Sequence, residues 1–387
     1  MPAKIALVTL ATPNIRRYAI STGATKQRYC VANGYDYIAF NEKLDDRPAA
    51  WSKLLALLRA MASGRYEWLC WMDADALVMN QTIRLESMID GRADLLIATG
   101  PNGAINSGCF LLNCTQRSFE FLHMVYGKTD YLNHRNWEQA AMKHVLDRGL
   151  TSLTVRFIPP RCINSRVNGA TDWRYHPGDF AIHLPGLSNP ERVHLVNKLL
   201  LGTEFRSRTQ LAAIVSQRSH IPLIGAEVGV QRGNFSDYLL TSSNYSRFYC
   251  IDAWKEIPGQ LDIANVCNQK QDNLFIATQN RLRRYGDKVC FIRKASTEAA
   301  MDIPDASLDF VYIDADHSYE GCLADLKAYY PKLKQGGVLA GHDYLNGKLP
   351  EGEFGVRRAV EEFLSALESA YLFTTNEKWP TWLTFKI

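Results

Sequence analysis

Two stretches of the chain gather acidic side chains directly behind apolar runs. Asp73-Ala-Asp75 follows Trp68-Leu-Cys-Trp-Met72, and Asp314-Ala-Asp316-His317 follows Phe310-Val-Tyr-Ile313. A continuous apolar run of this length reads as a strand covered on both faces, which puts each acidic group at a sheet edge. Carboxylates one residue apart in an extended chain point the same way, so Asp73 and Asp75 can hold one divalent cation between them. A bare pair of that kind recurs by chance; behind an all-apolar strand it becomes informative. A cation held there neutralises a bound diphosphate and so eases its departure as a leaving group.

The second half adds Gly336-Gly-Val-Leu-Ala-Gly341-His342-Asp343-Tyr344. Asp314 and Asp343, each at the end of an expected strand, can share a hard cation such as Mg²⁺, with His342 beside them. A hydroxyl group is too weak an acid to ionise unaided near neutral pH; a cation lowers its pKa and a neighbouring base then takes the proton. Asp316 is the expected base and His317 the competing one. The plainer reading is that Asp314 and Asp316 cap the helix that begins near Tyr319, since Asp is a good N-cap.

A third pattern lies upstream, where Glu227-x-Gly229-x-x-x-Gly233 follows the apolar run of residues 223–228. Glycine allows a tight turn and a close backbone approach to a ligand. Asp252 closes the next expected strand, 252 − 227 = 25 residues on, where a doubly wound fold places a carboxylate for a pair of ribose hydroxyls. A third strand is expected to end at Ala295-Ser296. Four successive strand ends therefore carry small or acidic groups, and ligands of open α/β sheets bind at that edge.

These groups need elements to hold them. In the first half, residues 4–10, 37–40, 68–72, 95–99, 109–112, 155–158 and 180–184 read as strands, and 51–62, 119–126 and 137–146 as helices. In the second half strands are expected at 223–228, 247–252, 289–293, 310–314, 338–342, 371–375 and 381–386, with helices at 233–241, 269–285, 319–330 and 355–366. Strand and helix patterns alternate as in parallel α/β sheets, and the last two strands are close enough to form an antiparallel hairpin. The order restarts near residue 220. With 387 residues, too many for one ordinary core, this predicts two domains, 1–195 and 220–387, joined by a charged helical linker over 196–219.

The composition, 47% hydrophobic and 22% charged, is that of a globular protein. Lys and Arg number 44 against 40 Asp and Glu and are scattered, which argues against nucleic acid as the main partner. The nine Cys show no paired spacing and several sit in apolar runs such as Tyr249-Cys250-Ile251, as expected of reduced thiols in a cytoplasmic protein. Residues 1–10 enter a strand pattern with no leader-like segment, and no run of about 18 uncharged apolar residues is present to span a membrane.

The C-terminal pattern, from the Glu227/Gly229/Gly233 loop through Asp252 to the final hairpin, resembles class I S-adenosylmethionine-dependent methyltransferases with a Rossmann-like fold. The Asp314 to Tyr344 motifs resemble the metal-dependent members that methylate sugar hydroxyls. The resemblance implies that Glu227 and Gly229 line the methionine end of S-adenosylmethionine, Asp252 takes the ribose and Ser296 lies near the adenine. In that family the metal motif often ends in two aspartates, and here the first of them is His342.

In the N-terminal half, Trp51-Ser52-Lys53 opens a helix, Asn106-Ser107-Gly108 precedes a strand, Trp137-Glu138-Gln139 opens a helix and His183 ends a strand. Together with Asp73 and Asp75 these resemble the retaining galactosyl- and xylosyltransferases that include yeast-mannan galactosyltransferases and xyloglucan xylosyltransferases. A nucleotide-diphospho-sugar (GT-A-like) fold is implied, with Asp73, Asp75 and His183 binding Mn²⁺. Lys53 would lie near the donor, a UDP-linked sugar being the expectation. Asn106, Ser107 and Gly108 would line the donor sugar, and Glu138 and Gln139 would sit at the reacting centre. The resulting expectation is an enzyme that glycosylates a glycan and methylates a sugar hydroxyl. Two alternatives stand beside it: a methyltransferase with a non-catalytic glycan-binding domain, and a tailoring enzyme for small-molecule glycosides.

Overall fold

Where the chain is most uniformly apolar it forms central strands. In the computed structural model, which describes residues 4–89, 91–99, 103–168, 171–217, 222–258, 263–367 and 370–386, every residue of β1 (Ile5–Leu10) and β3 (Trp68–Met72) is buried. Residues 1–3 and 218–221, which bear on the expected first strand and on the linker boundary, lie outside the described residues. The chain divides into two units, Met1–Arg192 and Val193–Ile387.

The first unit holds a six-stranded sheet in the order β2-β1-β3-β6-β5-β7, completed by β2 (Asp36–Phe40), β5 (Leu95–Thr99), β6 (Ile105–Asn113) and β7 (Val155–Ile158). Its edge pairs are parallel, but β6 runs antiparallel to both β3 and β5. The purely parallel sheet expected from the alternating pattern is thus corrected to a mixed one. The reason is connection length: only residues 100–104 separate β5 from β6, too few for the crossover that a parallel neighbour requires. β6 also starts earlier than expected, because Asn106, Ser107 and Gly108 are themselves buried strand residues.

Helix α1 (Arg16–Asn33) was not anticipated. The side it buries interleaves Ser21, Thr22, Thr25 and Lys26 with Tyr18, Ala19, Ala24, Tyr29 and Cys30, so no clean apolar stripe marks it in the sequence. Helices α2 (Ser52–Ala62), α3 (Gln116–Tyr126) and α4 (Trp137–Asp147) have ordinary apolar faces, which cover the sheet around Trp51, Leu57 and Phe121. A second, three-stranded sheet joins β4 (Ala76–Val78), β8 (Ser165–Arg166) and β9 (Ala181–His183), with Ala76 opposite His183; the short α5 (Pro160–Ile163) precedes β8. That register brings a residue more than one hundred positions away to the acidic pair.

The helix α6 (Asn189–Leu201) leads to α7 (Leu211–Ser216). Phe205, Leu211, Ala212, Ile214 and Val215 are buried in one cluster with Leu223, Phe235 and Phe248, so the segment expected as a linker is part of the second unit's core. The sheet there has the order β12-β11-β10-β13-β14-β18-β17. It is built from β10 (Leu223–Val228), β11 (Tyr245–Asp252), β12 (Val289–Arg293), β13 (Leu308–Ile313), β14 (Leu333–Gly341), β17 (Phe373–Thr374) and β18 (Trp382–Phe385). The first five strands are parallel and β18 is antiparallel to β14 and β17, as the expected final hairpin requires. Helices α8 (Asn234–Ser242), α9 (Asn268–Leu282), α10 (Ser296–Ala299), α11 (Tyr319–Tyr329) and α12 (Val356–Ser365) connect the strands. A small hairpin of β15 (Gly347–Leu349) and β16 (Gly352–Phe354) was not anticipated; its strands are short and mostly exposed. All nine cysteines are free thiols.

The strand order reverses between β10 and β13, with β11 on one side of β10 and β13 on the other. A crevice opens at such a switch point, at the carboxyl ends of the strands. Because Leu211 is fully buried, Leu211→Ala is expected to cost about 2–5 kcal/mol, against under about 0.5 kcal/mol at a solvated linker position. Urea unfolding of the full chain checks this.

Candidate active sites

The carboxylate pair behind β3 is held by cations. Asp73 Oδ1 accepts the Trp71 indole N–H at 2.7 Å and lies 3.1 Å from Lys53 Nζ. Lys53, fully buried on α2, also reaches Glu138 Oε1 at 2.7 Å and donates to the Ser107 carbonyl at 2.9 Å. Burial works against the Lys53 ammonium, but Asp73 and Glu138 more than offset it and hold the group charged. Behind the pair, the buried Lys26 of α1 donates to the Asp73 carbonyl at 2.7 Å. Burial pulls that lysine down to about 8.

Asp75 faces His183 Nε2 at 3.1 Å and Arg192 Nε at 2.9 Å; His183 Nε2 lies 3.7 Å from Asp73 Oδ2. Burial pushes the Asp75 carboxyl up, yet the His183 imidazole and the Arg192 guanidinium outweigh it and hold it below the usual carboxylate range. The other imidazole nitrogen, Nδ1, is 3.0 Å from Asn164 Oδ1, whose amide in turn donates to Asn106 Oδ1 at 2.6 Å. An amide oxygen at Nδ1 assigns the proton to that nitrogen in the neutral ring and turns the Nε2 lone pair toward the two carboxylates, which suits a shared cation. Asp73, Asp75 and His183 each offer one atom to a set within 4.8 Å of one another. Gly108 is what lets the ring in: a Cβ there would stand 2.0 Å from His183 Cε1.

The residues expected around this pair converge. Lys53, Asn106, Ser107, Gly108, Glu138, Gln139 and His183 all line one cavity of about 670 Å³. Glu138 is buried against Lys53 and the Ser107 hydroxyl, and Gln139 Oε1 accepts the Ser107 N–H at 3.0 Å. Sequence reasoning missed Lys26 and Arg192, which no motif marks. Trp137, the first residue of α4, is 45% exposed with φ 37° at the cavity rim. A tryptophan in that backbone region is strained, and such strain gathers at functional sites.

In the second unit, Glu227, Gly229, Asp252, Ser296, Asp314, Asp316 and His317 line a cavity of about 520 Å³. Gly229 has φ 93°, and a Cβ on it would meet the Asp314 carbonyl at 2.0 Å. Gly233, also left-handed, starts α8. Asp252 accepts backbone N–H groups from Gln231 (2.8 Å) and Trp254 (2.7 Å), one on each oxygen, which fixes the loop after β10 against β11. Glu227 is 2% exposed and accepts the Ser236 hydroxyl. Burial pushes its carboxyl up to about 8, and the Asp314 and Asp252 charges add to the effect. Arg208, from the segment expected as a linker, reaches the same cavity and lies over the Phe235 ring at 5.1 Å.

The acidic cluster differs from the expected ligand set. His317 Nε2 stands 3.4 Å from Asp314 Oδ1 and 3.2 Å from Asp343 Oδ2, and these three form the set able to hold a cation. His342 is outside it; its Nδ1 pairs with Asp343 Oδ1 at 3.0 Å. In this grouping His317 stands where His342 was expected. The missed hairpin explains this: Phe354 of β16 stacks on the His317 ring at 5.2 Å, and the Gly355 N–H donates to the His317 carbonyl. Asp343 itself sits at φ 51°. Asp316 stays apart from the cluster, accepting the Ser318 N–H at 2.8 Å and filling the space a Cβ on Gly321 would need. The cap of α11 is Ser318, not Asp314 or Asp316.

Two sheet-edge cavities, one in each unit, thus combine an acidic cluster with a glycine that admits no side chain. Residues 9–92 and 82–194 match the galactosyl transferase GMA12/MNN10 family, and residues 226–344 match a methyltransferase domain family. The protein named "Probable glycosyltransferase 3" of Oryza sativa is 34% identical over 27% of this chain and 25% of its own length. "Probable xyloglucan 6-xylosyltransferase 3" of Arabidopsis thaliana is 29% identical over 31% of this chain and 30% of its own. The chain thus spans about a quarter of the length of the curated relatives it matches. Among solved structures, a glycosyltransferase involved in glycosylation of the major capsid of PBCV-1 is 20% identical, with a TM-score of 0.44, over 50% of this chain and 98% of its own. A methyltransferase structure from Streptococcus mutans in complex with SAH is 15% identical, with a TM-score of 0.37, over 48% of this chain and all of its own. Among the described residues no helix is long and apolar enough to cross a membrane.

The Lys53 network is testable through stability alone. Lys53→Met leaves Glu138 charged and buried without its cation, at an expected cost of about 3–5 kcal/mol. Adding Glu138→Gln is expected to recover most of the loss, as read from urea midpoints of the single and double variants.

Proposed function

We propose that the first domain transfers a hexose or pentose, with retention, from a UDP-linked sugar to a glycan acceptor, and that the second methylates a sugar hydroxyl. The observation that carries this reading is the clustering of Asp73, Asp75 and His183 over one cavity and of Asp314, His317 and Asp343 beside another. Mixed imidazole and carboxylate donors suit Mn²⁺ at the first cluster, where the cation would neutralise the diphosphate as it leaves. During transfer the bond from the anomeric carbon to the diphosphate oxygen breaks toward oxygen, the acceptor oxygen bonds that carbon, and the acceptor's proton passes to the departing diphosphate. Lys53 and Arg192 add positive charge at the diphosphate side, and Lys26 fixes the backbone that presents Asp73.

In the second domain Glu227 would take the ammonium of S-adenosylmethionine, Arg208 its carboxylate and Asp252 the ribose. The donor supplies a methyl group on a sulfonium. The carbon–sulfur bond breaks toward sulfur, the acceptor oxygen bonds the methyl carbon, and Asp316 takes the hydroxyl proton. With His317 in place of an oxygen ligand, the Asp314, His317 and Asp343 set favours a cation such as Mn²⁺ over the Mg²⁺ first expected. Linking both activities in one chain raises the effective concentration of the second site for the first product.

The first activity is tested by presenting the full chain with a panel of nucleotide sugars and Mn²⁺ and following donor hydrolysis. Turnover of a UDP-sugar is expected, lost with a chelator and reduced by about 100-fold or more in Asp73→Asn, a barrier change of roughly 3 kcal/mol. Failure of every nucleotide sugar to bind would sink the assignment.

For the second, an ammonium placed beside Glu227 favours its ionised form. The carboxyl lies at about 8 without ligand, so near pH 7 binding of S-adenosylhomocysteine is expected to release close to one proton, and none well above pH 8. Calorimetry in buffers of different ionisation enthalpy measures this, and Glu227→Gln is expected to abolish the release.

A further inference from the structure

Asp325 on α11 is 1% exposed, and neither of its carboxylate oxygens has a hydrogen-bond partner among the described residues. A buried carboxyl left in this state is costly, and it is found where a ligand completes it. Asp325 lines the methyl-donor cavity together with Ala295, Ser296, Gly321 and Ala324. The Ser296 side chain faces it and works against the effect of burial, while Asp316 contributes a like charge. The Tyr329 hydroxyl, one turn further along α11, is already given to the Ser296 carbonyl at 2.7 Å.

The surroundings limit what can reach this carboxyl. Ala295, Ala324 and Gly321 carry a methyl group or nothing, and a Cβ on Gly321 is barred by Asp316, 2.3 Å from its Cγ. Small walls leave room for a flat ring better than for a branched chain. The methyl donor offers three kinds of hydrogen-bond donor: an ammonium, two ribose hydroxyls and the exocyclic amine of its purine. With Glu227 and Asp252 assigned to the first two, Asp316 to the hydroxyl proton and Asp314 to the cation set, the amine remains for Asp325.

We propose that Asp325 reads the purine of the methyl donor, its carboxyl group accepting a hydrogen bond from the exocyclic amine and, when protonated, donating to the adjacent ring nitrogen. The inference rests on the methyl-donor reading of this cavity. Burial pushes the carboxyl up to about 7, so a neutral acid able to make both bonds is available near neutral pH.

Calorimetry on the full chain compares S-adenosylhomocysteine with its analogue lacking the 6-amino group. Wild type is expected to prefer the amino compound by about 10-fold or more, a hydrogen bond's worth. Asp325→Ala is expected to weaken S-adenosylhomocysteine by a similar factor and to bind the two compounds equally. Asp325→Asn, whose amide offers the same acceptor and donor as the neutral acid, is expected to stay within about threefold of wild type. Thermal melts no lower than wild type verify that the variants fold, since each removes an unpaired carboxyl. The proposal is overturned if Asp325→Ala binds within twofold of wild type or keeps the preference for the amine. If wild type binds neither compound, the methyl-donor reading fails and this inference with it.

Discussion

Carboxylates crowded at the end of a buried strand repel one another and resist losing water, and each acidic cluster of this chain exists only because other groups meet that cost. At the β3 edge the counterweights are the ammonium of Lys53 and the guanidinium of Arg192, which flank Asp73 and Asp75 with the His183 imidazole, while Lys26 holds the backbone between them. None of these four comes from β3 itself. They arrive from α1, α2, β9 and α6, so the sheet register and the helix packing of the first unit are conditions for the acidic pair to persist. Repulsion of this kind is also what a bound cation relieves, which is why such a cluster is poised to take one.

The second unit meets the same demand with protons and backbone amides more than with cations. Asp252 accepts one backbone N–H on each oxygen, from Gln231 and Trp254, and keeps a lone pair on each, and Glu227 is buried far enough for its carboxyl to stay protonated near neutral pH. Arg208, one of the guanidinium groups lining the cavity, favours the ionised form of Glu227. Its origin in the segment preceding β10 ties the core packing of Phe205 and Leu211 to the electrostatics of the cavity, because a shift of that segment would withdraw the charge.

Much of this was legible in the residues. Apolar runs located the central strands to within a few positions, and the glycines at 229 and 233 marked the turn where a side chain has no room. What escaped did so for physical reasons. Helix α1 buries hydroxyls and a lysine among its apolar residues, and that lysine braces the Asp73 backbone. β6 was shortened because its first residues, Asn106 to Gly108, serve the cavity and carry no strand signature. That His317, and not His342, groups with Asp314 and Asp343 could not be read from neighbours in sequence, since Phe354 of a distant hairpin stacks on the His317 ring. Local patterns found the elements; partners distant in the chain decided which atoms face the cavity.

The sign of the second cavity carries a last consequence. Glu227, Asp252, Asp314, Asp316 and Asp325 line it, against Arg208, Arg232 and Lys255. Under the proposed reading the donor enters with a cationic sulfonium and leaves as a neutral thioether, while its ammonium and carboxylate are unchanged. The acidic groups nearest the reacting carbon therefore attract the substrate form more than the product form, with an effect strengthened by the low dielectric of a partly buried site. The same groups oppose one another in the absence of positive charge, which is the condition that Glu227 answers by holding a proton. Charge lost by the donor during transfer weakens its hold on the cavity, so the acidity that draws the donor in also favours release once the methyl group has moved.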